Sequence, residues 1–221
     1  MKYRGAIFDQ DGLLFDTESI YQKAWIEAGR RQGVTIDPSV PRRFSGMGRK
    51  LIKEIVDVEY PQLDWERYST EAIDLAWSTQ LASVPPKKPG LMDMLAFCRT
   101  NGIKMVVASS SRRHIVEHNL TAAGVRAYFD AITTGEEVVH SKPAPDIFLL
   151  AASKIGIPAQ ECVVFEDAFS GIRGAVAAGA RAVLIPDQAE PTDEIRAISS
   201  VYPNLAAARE VFGIDNSLGI G

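Results

Sequence analysis

The chain has 221 residues, 46% apolar and 24% charged, enough to bury one full core with or without a smaller accessory domain. Its 24 basic and 28 acidic side chains leave a net charge of -4, and no run of Lys or Arg exceeds two, which argues against nucleic acid or an anionic membrane as partner. Apolar runs are too short to span a bilayer and the two cysteines, Cys98 and Cys162, form no CxxC pattern, so a cytoplasmic protein with buried thiols is expected.

In chain order, residues 5–8 form a short apolar run that reads as a buried strand. Helical spacing follows at 18–31, 50–58 and 68–81, with no convincing strand before Pro85. The PPKKPG cluster at 85–90 then reads as an extended linker released by glycine into a helix at 91–100. From there strands at 103–108, 131–133, 163–165 and 182–185 alternate with helices at 113–123, 146–155 and 170–178. Gly102, Gly124, Gly156 and Gly179 each follow a helical segment, where a left-handed C-terminal cap commonly needs glycine.

That alternation predicts an α/β, Rossmann-like parallel sheet. The first strand must pair with the later ones to be buried, so the helical stretch reads as a small α-helical cap domain inserted after it. The expected division is a core of 1–15 and 86–221 and a cap of 16–85. The tail 216–221 is expected to be disordered, and the oligomeric state is unreadable, a monomer being compatible with everything above.

Ligands of open parallel sheets bind beyond the carboxyl ends of the strands. There the sequence places Asp9-Gln10-Asp11-Gly12, then Ser109-Ser110-Ser111, then Lys142-Pro143, then Glu166-Asp167. In extended backbone Asp9 and Asp11 aim to one side, and Gly12 lets the chain turn away. Clustered carboxylates call for a cation, and with Glu166 and Asp167 they offer hard oxygens suited to Mg²⁺. Lys142 and the Ser109 hydroxyl could hold phosphate oxygens that the acids would repel. Each station alone also reads as a turn or a helix cap; the four in order do not.

These segments resemble the haloacid dehalogenase superfamily: 5–18 (GAIFDQDGLLFDTE), 106–109 (VVAS), 141–148 (SKPAPDIF) and 163–172 (VVFEDAFSGI). The resemblance implies a helical cap of the kind found in phosphoglycolate phosphatases, sugar phosphatases and β-phosphoglucomutase. It implies Asp9 as nucleophile and metal ligand, and Asp11 as general acid and base with its backbone carbonyl on magnesium. Asp167 and Glu166 complete the metal set, and Gly12, Ser109, Ser110 and Lys142 form the phosphate set. Arg49, in a loop similar to a phosphate-gripping loop of β-phosphoglucomutase, is a further candidate contact.

A small phosphorylated metabolite, with a sugar phosphate as the first guess, is then the expected substrate and hydrolysis the expected reaction. Dehalogenases of the superfamily typically lack the second aspartate, so Asp11 argues for phosphoryl transfer. A phosphomutase is the nearer rival, but Tyr21 stands where β-phosphoglucomutase carries a histidine. A non-catalytic phosphate binder on the same fold would be expected to lack the nucleophile, the acid or the lysine, and all three are present. His114 and His118, four apart on a helix, read as surface imidazoles, His140 as a turn residue, and Trp25, Trp65 and Trp77 as cap packing.

Overall fold

The computed structural model describes residues 2–45, 47–187 and 189–213; the tail expected to be disordered lies outside them. Six parallel strands form one sheet in the order β3-β2-β1-β4-β5-β6: β1 (Gly5–Phe8), β2 (Lys104–Ser109), β3 (Ala131–Thr134), β4 (Cys162–Glu166), β5 (Arg181–Leu184) and β6 (Ser200–Val201). From β1 the chain builds outward first on the β2 side and then on the β4 side. The crevice at this switch point, beyond the carboxyl ends of β1, β2 and β4, is where such sheets bind ligands.

Side chains alternate across the sheet. Ala6 and Phe8 join one buried cluster with Leu95 and Phe165, while Ile7 joins the other with Val164 and Phe148. Because both faces are covered, the strands read as unbroken apolar runs in the sequence. Phe8 and Phe165, on neighbouring strands, stack with ring centroids 4.9 Å apart. The four glycines expected at helix ends all adopt positive φ, between 66° and 76°.

The first four helices after β1 are α1 (Glu18–Arg31), α2 (Ser39–Arg42), α3 (Arg49–Glu59) and α4 (Trp65–Leu81). They enclose a third cluster of their own, centred on Trp25, Phe44, Trp65 and Tyr68. Trp25 and Trp65 lie nearly parallel at 6.3 Å, and Phe44 meets Trp25 edge-on at 5.4 Å. This is the helical cap. It leaves and rejoins the core at paired segments: Phe15 bridges Lys87, Asp16 N donates to Pro86 O (2.9 Å) and Lys88 N to Leu14 O (2.9 Å).

The core helices are α5 (Leu91–Thr100), α6 (Arg113–Ala122), α7 (Asp146–Lys154), α8 (Phe169–Ala177), α9 (Asp193–Ile198) and α10 (Leu205–Ala208). The cap also touches α6 directly. The Asn119 amide donates to Gln80 Oε1 at 2.7 Å, and both side chains are fully buried. No described helix is long and apolar enough to cross a membrane.

Candidate active site

Asp9 follows β1 directly, and its N–H donates to Phe165 O (3.0 Å), carrying the sheet ladder one residue further. Glu166 ends β4 and Asp167 follows it. Oxygens of Asp9, Glu166 and Asp167 lie within 4.8 Å of one another, the one such acidic or His/Cys group among the described residues. Between them sits Lys142, whose Nζ donates to Asp9 Oδ1 (2.5 Å), Glu166 Oε1 (2.5 Å) and Ala108 O (3.2 Å). The three side chains are nearly dry, at 8% exposure for Lys142, 10% for Asp9 and 1% for Glu166.

Burial pushes the Asp9, Glu166 and Asp167 carboxyls upward, neighbouring carboxylates add to the rise for Asp9 and Asp167, and Lys142 opposes the shift. For Lys142 burial acts downward, but Asp9 and Glu166 outweigh it and keep the ammonium charged. Two glycines make room for the acids. A Cβ on Gly12, whose φ is +80°, would lie 2.2 Å from Asp167 Oδ2, and one on Gly171 would lie 2.0 Å from the Glu166 carboxyl carbon.

Asp11 faces the same cleft but is held apart from this cluster. Its carboxylate accepts from Thr17 Oγ1 (2.9 Å) and Ser111 Oγ (2.8 Å). Ser109 is fully buried; its hydroxyl accepts from Ser111 N (3.1 Å) and stands 3.4 Å from Asp11 Oδ2. Ser110 and Ser111, not Ser109, line the cavity. The sequence offers Ser111 as a helix cap, yet the N-cap position of α6 belongs to Arg112 and the hydroxyl serves Asp11 instead.

The cavity holds about 490 Å³, with Asp9, Asp11, Lys142 and Asp167 as its floor and Trp25 and Trp65 in the cap wall. Arg49 also lines it, but its guanidinium pairs with Glu66 (2.6 Å) and lies over the Trp65 ring at 5.5 Å. Glu18 faces the cavity too. Burial, with Asp11, Asp187 and Asp16 nearby, pushes its carboxyl up to about 7 against a hydrogen bond from Ser45. Tyr21 is held beside Ser111, Gln80 and Trp77, and burial raises its hydroxyl pKa.

The histidines form no metal group among the described residues. His140 pairs with Asp146 at 2.9 Å. His118 is only half-buried rather than a free surface imidazole, and contacts Ser83 O of the cap at 3.3 Å. Trp77 does more than pack the cap: it lines the cavity, and the Arg112 guanidinium lies 4.6 Å from its ring centre. Thr17, Glu18 and Gly171 carry no assigned role in the sequence reading. Thr17 and Glu18 end the first resembling segment and Gly171 lies in the last, which is the one signal that could have found them.

Several known proteins are similar to this chain. A fructose-1-phosphate phosphatase of Escherichia coli (strain K12) is 37% identical over 183 residues, covering 82% of this chain and 96% of that protein. Hexitol phosphatase B of the same strain is 32% identical over 190 residues, covering 82% of each. The crystal structure of CbbY from Rhodobacter sphaeroides in complex with phosphate superposes with a TM-score of 0.75 at 25% identity, over 92% of this chain and 95% of that one. Residues 3–179 match the haloacid dehalogenase-like hydrolases, and the chain belongs to that family.

Proposed function

We propose that the protein is a magnesium-dependent phosphatase that hydrolyses a small phosphorylated metabolite, a sugar phosphate before others, with Asp9 as nucleophile. The observation that carries this reading is the Lys142 ammonium held between Asp9 and Glu166, with Asp167 alongside, on the floor of the cavity. A core of 1–15 and 86–221 and a cap of 16–85 belong to the same proposal, supported by the paired crossing at Phe15 and Lys87.

The donor set fits a hard divalent cation. Three carboxylates, of which Asp9 and Glu166 are buried and Asp167 is partly buried, face one ammonium, which leaves negative charge that a nearly dry site tolerates poorly. Moreover, Glu166 Oε2 is buried without a hydrogen-bond partner. Asp9, Glu166 and Asp167 would hold Mg²⁺, joined by the main-chain carbonyl of Asp11. Bound there, the ion would neutralise phosphate oxygens and so let an anionic nucleophile approach a dianionic ester.

Lys142, with Ser110 and Ser111 at the cavity wall, binds the phosphate oxygens, while Asp9 attacks phosphorus. The bond to the leaving alcohol oxygen breaks as the aspartyl phosphate bond forms. Protonated Asp11, oriented by Thr17 and Ser111, gives its proton to that oxygen. Once the alcohol has left, Asp11 takes a proton from water, which attacks phosphorus and frees Asp9 and inorganic phosphate. The cap keeps bulk water out during the first step.

The Trp25 and Trp65 wall and the Glu18 carboxylate suit a hydroxylated leaving group, in line with the sugar phosphate and hexitol names of the two relatives. Tyr21 sits in the wall at the position of the mutase histidine, which favours water over a sugar as phosphoryl acceptor. Phosphate release from para-nitrophenyl phosphate should require Mg²⁺ and fall on the order of a thousandfold in Asp9→Asn. A wild-type rate from Asp9→Asn, or glucose 1-phosphate isomerisation faster than phosphate release, would overturn the reading.

A further inference from the structure

Lys142 reaches its place on a segment that the sheet does not carry. β3 ends at Thr134 and α7 begins at Asp146. In between, Val139 and His140 make no backbone–backbone hydrogen bond among the described residues, and Val139 is 89% exposed. Downstream the segment is fixed by α7. Upstream it is fixed at Glu137.

The Glu137 carboxylate collects donors from three elements. Oε1 accepts from Thr134 N (2.9 Å) and from Arg113 of α6 (2.6 Å), and Oε2 accepts from Lys154 of α7 (2.5 Å). Arg113 and Lys154 also both donate to Ile132 O, at 3.2 and 2.7 Å. Isolated surface ion pairs contribute little, but a carboxylate that closes a capping box and meets two cations from two helices is a fixed point. Burial acts to raise its pKa; Lys154, Thr134 N and Arg113 outweigh this and hold the carboxyl down at about 2.

We propose that Glu137 is a positioning residue for Lys142: by pinning the upstream end of 138–141 to β3, α6 and α7, it sets where the ammonium falls between Asp9 and Glu166. Glu137 does not line the cavity, so it acts through the chain and not on substrate. The inference rests on the proposed role of Lys142 at the phosphate.

A double-mutant cycle tests it, with Mg²⁺ saturating, para-nitrophenyl phosphate as substrate, and end-point assays long enough to quantify Lys142→Ala. Glu137→Ala should lower kcat/KM about tenfold or more, chiefly through kcat. In the Lys142→Ala background the same change should cost less than twofold, because the group it positions is gone. A Glu137→Ala rate within twofold of wild type, or a full tenfold further loss in the double variant, overturns the inference. Should Glu137→Ala fail to fold by thermal denaturation, Glu137→Gln, which keeps an acceptor for Thr134 N, takes its place under the same two criteria. Full activity in Lys142→Ala would instead sink the role of Lys142, and this inference with it.

Discussion

The floor and the roof of the cavity use charge in opposite ways. In the core, Asp9, Lys142 and Glu166 are nearly dry, and Lys142 bonds each of the two carboxylates at 2.5 Å. In the cap, the charged pairs Arg30–Glu27 and Lys53–Asp57 are one helical turn apart and open to solvent, where an ion pair contributes little. What holds the cap is the aromatic cluster around Trp25 and Trp65. The carboxylates of the floor are therefore held at the ends of β1 and β4, while the roof is held by apolar contacts that no single ion pair controls.

Removing the centre of the cap cluster should give the largest effect. Trp25→Ala is expected to cost about 3–5 kcal/mol of stability, with hydrogen exchange accelerating in α1 and α4 before β1 and β4. Equal acceleration in the sheet would mean that cap and core melt as one body. Next in size, Gly171→Ala forces a methyl against the Glu166 carboxyl. Mg²⁺ affinity, read by titrating activity, should weaken roughly 10- to 100-fold with the cap exchange pattern unchanged. Unaltered Mg²⁺ dependence would dissociate Glu166 from the metal.

The smallest effect concerns Glu18, the carboxylate between the two regions. Its folded-state pKa, about 7, lies above the unfolded value of 4.5, so the folded protein holds a proton that the unfolded chain has released. In metal-free protein this contribution is fully present below pH 4.5 and is lost as pH rises through 7. Glu18→Gln should flatten that decline in Tm between pH 5 and pH 8. An identical slope in the variant would remove Glu18 as its source.

The sheet was largely legible in the sequence because strands buried on both faces appear as continuous apolar runs. All five expected strands and all seven expected helices occur, with ends displaced by at most three residues, as at α4, which starts at Trp65 rather than 68. The pieces α2, α9, α10 and β6 span six residues or fewer, too short for a period to register. The polar strand ends converge because their elements do: Asp9, Lys142, Glu166 and Asp167 meet in one cleft. Side-chain direction was the illegible part. That Ser111 turns to Asp11 while Ser109 is buried, and that Glu66 occupies Arg49, depends on tertiary neighbours that no local pattern contains.

The two strands of chain that join cap to core lie side by side, clasped by Phe15, Asp16 and their partners at 86–88. A loop whose feet already touch can grow, shrink or be exchanged without prising the sheet open. The same hydrolytic floor is thus open to refitting with a different roof, so new substrate preferences can arise by splicing at one narrow neck.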